Sequence, residues 1–241
     1  MTSEPAIETA LDWARQGQRG LEGAVAGLHP DAVPEPSALP GWTRGHVITH
    51  VARNADALVN LLTWARTGTE TPMYATPDQR NSDIEAGAGR SLAEQLDDLR
   101  KSGLRFADAA GAMSPDDWQA VVRNAQGVPM SASTVPWFRV REVWLHLVDL
   151  DAGPGVDVIP DDVAVELVRD VAGWMSPKLD RAVSLRPEGH PPVPLGPDGS
   201  DSATPTTIAG PASRIAGWLV GRADVSGLRC EGTVPDLPRW L

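Results

Sequence analysis

Apolar residues recur at helical spacing through most of the first 150 positions. Ala6, Ala10, Trp13 and Ala14 share one face, continued by Leu21 and Val25, which predicts a helix from about Pro5 to Leu28. His29 to Pro40 holds four prolines and reads as a connection, closed by Pro40-Gly41. Val47, Ile48, Val51, Ala55, Leu58 and Leu62 predict a second helix, starting at Trp42 or Thr43 and running to about Arg66. Residues 67–88 are polar and read as a long connection, with at most short helical pieces around Asp78 to Glu85. A connection of that length in a compact domain often carries function, for instance as a lid.

Ser91 followed by Glu94 fits a capping box and opens a third helix through Leu92, Leu96, Leu99 and Leu104. Ser114-Pro115-Asp116-Asp117 is a second start signal, for a short helix or turn, and residues 123–134 read as irregular. A fourth long helix is predicted from Pro136 to about Leu150, packing through Trp137, Val140, Trp144, Leu147 and Val148. Four such helices make a bundle the natural architecture.

The pattern changes at Asp151-Ala152-Gly153-Pro154-Gly155. Pro160-Asp161-Asp162 starts a helix with Val163, Leu167, Val171 and Trp174 on its packing face, ending before Ser176-Pro177. Short β-like pieces follow at Ala182–Arg186, Pro205–Ile208 and Val225–Arg229, with a Pro- and Gly-rich loop or hairpin tip over Pro187–Ser202. Gly210-Pro211 precedes a last helix, Ala212–Val220, which ends at Gly221. The fold class expected is therefore α+β: a four-helix bundle over residues 1–150, then a linker helix and a small α+β unit over 151–241.

Charge and composition narrow the partners. The formal net charge is -11 over 241 residues, and no Lys/Arg stripe reverses it locally. Such a surface repels phosphate backbones and anionic membranes, so neither nucleic acid nor a membrane is an expected partner. A small anionic substrate stays open, because a few arginines in a cleft act locally. The single cysteine, Cys230, excludes an intrachain disulfide framework and a Cys-rich zinc site. Met1 to Glu8 lacks the basic and apolar pattern of a signal peptide, and no stretch approaches ~20 apolar residues. A cytoplasmic monomer is the expectation.

The candidate chemistry lies in the histidines, of which the chain has five. His46 and His50 are one turn apart on the second helix, and His146 follows Glu142 by four residues on the fourth long helix. Residues at i and i+4 share a helix face, so Glu142 and His146 can aim at one point. One histidine from a facing helix would complete a set of two imidazoles and a carboxylate, which suits Zn²⁺. His50, flanked by Val47 and Val51, is the better placed of the pair, with His46 open as the alternative. The spacing alone fits a plain structural role better, with Glu142 paired to Arg139 or Arg141 and the histidines packed in the core.

Longer stretches carry a resemblance. Leu39-Pro40-Gly41-Trp42-Thr43-Arg44-Gly45-His46-Val47-Ile48-Thr49-His50-Val51-Ala52-Arg53-Asn54 resembles the opening signature of the mycothiol-dependent maleylpyruvate isomerase family, within the DinB-like superfamily. Arg139-Val140-Arg141-Glu142-Val143-Trp144-Leu145-His146-Leu147-Val148-Asp149-Leu150 resembles its second signature. Gly210-Pro211-Ala212-Ser213-Arg214-Ile215-Ala216-Gly217-Trp218-Leu219-Val220-Gly221-Arg222 is similar to its C-terminal signature, so the likeness covers nearly the whole chain. Gly45-His46 departs from the commoner acidic-hydrophobic pair, a change expected to be tolerated on a helix rim.

The resemblance implies a DinB-like bundle, a Zn²⁺ held by His50, Glu142 and His146, mycothiol as the thiol cofactor, and a place in gentisate breakdown. The implied reaction converts maleylpyruvate, a small dicarboxylate, to fumarylpyruvate by thiolate addition, bond rotation and thiolate loss. A thiolate is needed and a free thiol is largely protonated at neutral pH, a problem that zinc coordination solves. Cys230, in a β-like segment far in sequence from the ligands, is a poor source of it. Arg222 corresponds to the family's essential arginine and is expected to meet substrate charge. Arg53, Arg80, Arg139 and Arg141 are weaker candidates for anion binding, each of a type that is usually surface charge. Asp149 and Asp151 could hold a ligand's second ring nitrogen, and Trp42 and Trp144 could wall the cleft. A thiol S-transferase acting on electrophiles would use the same ligands, and a non-catalytic regulatory bundle or a zinc hydrolase are more distant alternatives.

Overall fold

The structure is a computed structural model and describes residues 5–197 and 206–240. It is a mixed α+β fold in which the chain divides into two compact units after Gly153.

The first unit holds α1 (Ile7–Ala26), α2 (Arg44–Thr67), α3 (Pro77–Ala88), α4 (Leu92–Gly111) and α5 (Val135–Asp149). Its framework is two helix pairs, α2 along α4 and α1 along α5, joined through α2 and α5. The long helices turn most of their apolar residues inward, but Leu104 of α4, expected on its packing face, is exposed. Leu58, Leu61 and Leu62 of α2 meet Phe106 and Ala110 of α4 in a core sealed by Trp118, Val122 and Val135. Ser91 caps α4 as its sequence predicts: its backbone N–H donates to the Glu94 carboxylate at 2.9 Å, and its Oγ accepts from the Glu94 N–H.

Several features of this unit depart from the sequence reading. The polar stretch before Ser91 contains one continuous twelve-residue helix, α3, where short pieces were expected. Its apolar signal is thin because few of its side chains pack inward, Ile84 and Ala88 among them. Thr76 caps it by accepting from the Gln79 N–H. Residues 123–134 are not irregular throughout: β1 (Val121–Arg123) and β2 (Pro129–Ser131) form an antiparallel hairpin with Val122 opposite Met130. Strands of three residues carry too little alternation to be read. Finally, Gly45 is buried rather than on a rim. A Cβ there would fall 2.1 Å from the Ala88 carbonyl oxygen, so the glycine lets α2 and α3 touch through backbone.

The second unit contains α6 (Asp161–Met175), β3 (Val183–Pro187), β4 (Val193–Leu195), β5 (Thr206–Gly210), α7 (Ala212–Leu219) and β6 (Arg229–Glu231). The sheet order is β4-β3-β5-β6, with β3 and β5 parallel and the outer pairs antiparallel. The hairpin foreseen after Pro187 exists between β3 and β4, and residues 198–202 of that loop lie outside the described residues. Pro205, the expected start of the second strand, also lies outside them. The last strand begins later than expected, because Val225–Gly227 forms a short 3₁₀ turn capped by Asp224, whose carboxylate accepts from the Ser226 N–H.

Candidate metal centre

The start of α2 sets the first half of the site. Thr43 is its N-cap, and His46 fills the position usually taken by Glu in a capping box: the Thr43 N–H donates to His46 Nδ1 at 3.2 Å. One turn on, His50 is buried at 6% exposure among Val47 and Val51, which are fully buried. Helix α5 supplies the second half. Pro136 sits in its first turn, and the i, i+4 spacing brings Glu142 and His146 to one face.

These halves meet. His50 Nε2 lies 3.0 Å and His146 Nε2 3.2 Å from the same atom, Glu142 Oε2. The two imidazole rings are perpendicular, 4.7 Å apart. One ligand atom from each of the three residues falls within 4.8 Å of the others. His146 Nδ1 lies 2.9 Å from the carboxylate of Asp149, which is completely buried. Among the two candidates on α2, the structure brings His50 into this group. His46 faces Glu85 of α3, Nε2 to carboxylate at 3.3 Å.

The donor set fits a zinc ion. Two imidazole nitrogens and one carboxylate oxygen on a converging point are a usual three-ligand arrangement for Zn²⁺, with further coordination left to water, thiol or substrate. The Asp149 carboxylate behind His146 is the outer partner such a ligand normally has, fixing its tautomer and orientation.

The electrostatics follow from burial opposed by hydrogen bonding. Burial alone pulls His146 down, but its bonds to Asp149 and Glu142 outweigh this and hold it up at about 9. Burial pushes Glu142 up, yet bonds from His146 and His50 keep it well below the usual carboxylate range. His50 is lowered by burial, only partly offset by Glu142. At neutral pH the metal-free group therefore holds an imidazolium at His146, a neutral His50 and an ionised Glu142. Zinc must displace the His146 proton. Zinc affinity is then expected to rise about tenfold per pH unit from neutrality up to the His146 value and to level off above it. Titration of the metal-free protein against a zinc buffer at several pH values measures this, with calorimetry in two buffers of different ionisation enthalpy counting the released proton.

Comparison with known proteins adds a second line. The family model for the mycothiol maleylpyruvate isomerase N-terminal domain matches residues 14–151. The chain belongs to that family. Two solved structures of a mycothiol-dependent maleylpyruvate isomerase, one of them a histidine-to-alanine mutant, resemble the chain at 34% identity with TM-scores of 0.87 and 0.86. In both cases the match covers all of this chain and all of the other. An uncharacterized protein of Mycobacterium tuberculosis, in strains H37Rv and CDC 1551, is 27% identical over 92% of this chain and 88% of its own length.

The remaining family positions sort as follows. Arg222 lies in the second unit, half-buried just past Gly221, whose φ of 74° ends the α7 segment. The Arg222 backbone N–H donates to the Gly217 carbonyl at 2.8 Å and its Nη1 to the Val220 carbonyl at 2.7 Å. Cys230 is exposed on β6. Trp42 does wall the metal centre, stacked on His46 at 6.1 Å and edge-on to His50 at 5.4 Å. Trp144 does not: it is buried, with Nε1 donating to the Trp13 carbonyl of α1. Asp149 takes the ring-nitrogen role, whereas Asp151 offers its backbone carbonyl to Arg44. Arg53 pairs with Asp56 and Asp98, and Arg139 is buried in the bundle core.

The sequence reading missed Tyr74. It is the chain's only tyrosine, set in the polar connection before α3. Burial, then the nearby Glu142 charge, raises its pKa, which marks it as a neighbour of the metal group. A lone aromatic in an otherwise polar connection was the available signal.

No helix among the described residues is long and apolar enough to cross a membrane.

Proposed function

We propose that this protein is a mycothiol-dependent isomerase that converts maleylpyruvate to fumarylpyruvate. The observation that carries the proposal is the match, over the whole of both chains, to a solved mycothiol-dependent maleylpyruvate isomerase. The convergence of His50, Glu142 and His146 supports it from the chain's own chemistry. The bundle would carry the metal, and the C-terminal unit would supply Arg222.

His50, Glu142 and His146 would hold the zinc. With mycothiol bound, the ion would supply an ionised sulfur, the nucleophile that reversible addition to the substrate's C=C bond requires. The protein's part is positioning and charge. Asp149 accepts from His146 Nδ1–H and so would leave Nε2 as the nitrogen free to hold the ion. Glu142, held ionised, would offset part of the ion's charge, and Trp42 packs edge-on against His50. Arg222 is the cation assigned to the negative charge that grows on the substrate's keto oxygen.

The test is an absorbance assay on maleylpyruvate with and without mycothiol. Turnover should require the thiol, and thiol-independent turnover would refute the mechanism. Arg222→Ala should retain the metal while kcat falls by about 10²–10³, the usual cost of removing a group that stabilises developing negative charge.

A further inference from the structure

Arg80 is a cation in direct contact with the metal group that no carboxylate holds. Its Nη2 lies 3.3 Å from His50 Nδ1, on the ring edge opposite Glu142. Its other contacts are with neutral groups: Asn81 Oδ1 at 3.1 Å, and Tyr74, whose hydroxyl it hydrogen-bonds and whose ring centroid lies 5.8 Å from its guanidinium carbon. Among the described residues no carboxylate pairs with it within 4.0 Å. Arg53, Arg90 and Arg44, by contrast, are all fixed by acidic partners.

The contact with His50 cannot survive metal binding. A guanidinium only donates, so Nδ1 must be the bare nitrogen here and Nε2 must carry the proton that points at Glu142. When Nε2 binds a metal, the neutral ring carries its proton on Nδ1 instead. Two N–H groups would then face each other at 3.3 Å, and Arg80 has to turn away.

Helix α3 allows such a turn at one end only. Its C-terminal half is locked to α2: Gly45 packs against the Ala88 carbonyl, Gly87 against Thr49, and His46 against Glu85. The N-terminal half carries Arg80 on a half-buried, polar surface beside Tyr74. A guanidinium released there stays near the metal, presents a planar two-donor edge, and matches a carboxylate.

We infer that Arg80 is a substrate-positioning residue: metal binding at His50 releases its guanidinium to take a carboxylate of a small dicarboxylate anion. This rests on the isomerase reading for its substrate, but the ligand class follows from the guanidinium itself.

The experiment compares wild type with Arg80→Met and Arg80→Lys, all zinc-loaded. Calorimetry with fumarate, without thiol, should show binding to wild type that weakens at least tenfold in Arg80→Met and recovers in part in Arg80→Lys. With mycothiol, KM for maleylpyruvate should rise at least tenfold in Arg80→Met while kcat stays within about threefold. Zinc retention should be undiminished, and ¹⁵N-histidine spectra should show the His50 proton on Nδ1 with zinc and on Nε2 without it. Unchanged fumarate binding in Arg80→Met, no fumarate binding by wild type, or loss of zinc from Arg80→Met would each overturn the inference. A wild type that binds fumarate through Arg80 yet fails to isomerise maleylpyruvate would instead sink the isomerase reading and leave Arg80's role standing.

Discussion

His50→Ala is expected to lose metal and activity together. His50 is the only contribution of α2 to the converging group, and its Nε2 sits 3.0 Å from Glu142 Oε2. Without it, Glu142 and His146 remain as two donors from one helix, and a two-donor site holds zinc poorly. Losing an outer partner of a zinc ligand costs about 10–100-fold in affinity, and losing the ligand itself should exceed that. Isomerisation should fall by at least about 10³-fold, if the thiol depends on the metal for its ionisation. The fold should survive. The change trims one side chain at the edge of the core, and it removes a buried polar ring rather than a packed apolar one. Metal content by elemental analysis, a thermal melt and the isomerase assay on one preparation decide the matter. Full metal content with lost activity would mean that His50 acts otherwise than as a ligand.

Arg139→Met is expected to do the reverse, costing stability and leaving the ligands untouched. Arg139 is 2% exposed and ties three helices together. Its Nη1 donates to the Val51 carbonyl at 2.8 Å and to Asn54 Oδ1 at 3.0 Å, and its Nη2 donates to Gln18 Oε1 at 2.7 Å. Burial pulls its pKa down to about 10, still far above neutrality, so the charge is kept. Methionine fills much of the same space but leaves the buried Asn54 Oδ1 and the half-buried Gln18 Oε1 without this donor, and takes the second donor from the Val51 carbonyl. Each orphaned group costs about 1–3 kcal/mol, part of which is recovered by no longer burying a charge. A net loss of about 3 kcal/mol is expected, read as a lowered denaturant midpoint with an unchanged slope. A midpoint shift under about 0.5 kcal/mol, the scale of an ordinary surface substitution, would show that the network contributes little.

Arg139 also shows where sequence reasoning stops. Read from its neighbours, it is a surface charge or a partner for Glu142, because arginines mostly are. Nothing within four residues reveals that Gln18 and Asn54, 121 and 85 positions away, wait to accept from it. Gly45 is a similar case. It departs from the family pattern at what looks like a helix rim, and only the approach of the Ala88 carbonyl explains why a side chain is unwelcome. Helix α3 was half-hidden for a related reason, since its contact with α2 runs largely through glycines, which leave no apolar stripe to read.

What the sequence determined by itself was whatever a short stretch of backbone enforces. The helical period puts Glu142 and His146 on one face, Ser91 and Glu94 close their own cap, and His46 and His50 fall one turn apart on any helix. Tertiary structure decided what depends on distant chain segments meeting. It chose His50 over His46 by packing α2 against α5, and it brought Arg80 of α3 to the ring edge of His50 that faces away from Glu142. The physical reason is range. Backbone geometry propagates over a turn or two, whereas the direction in which a buried ring points is fixed by what packs around it.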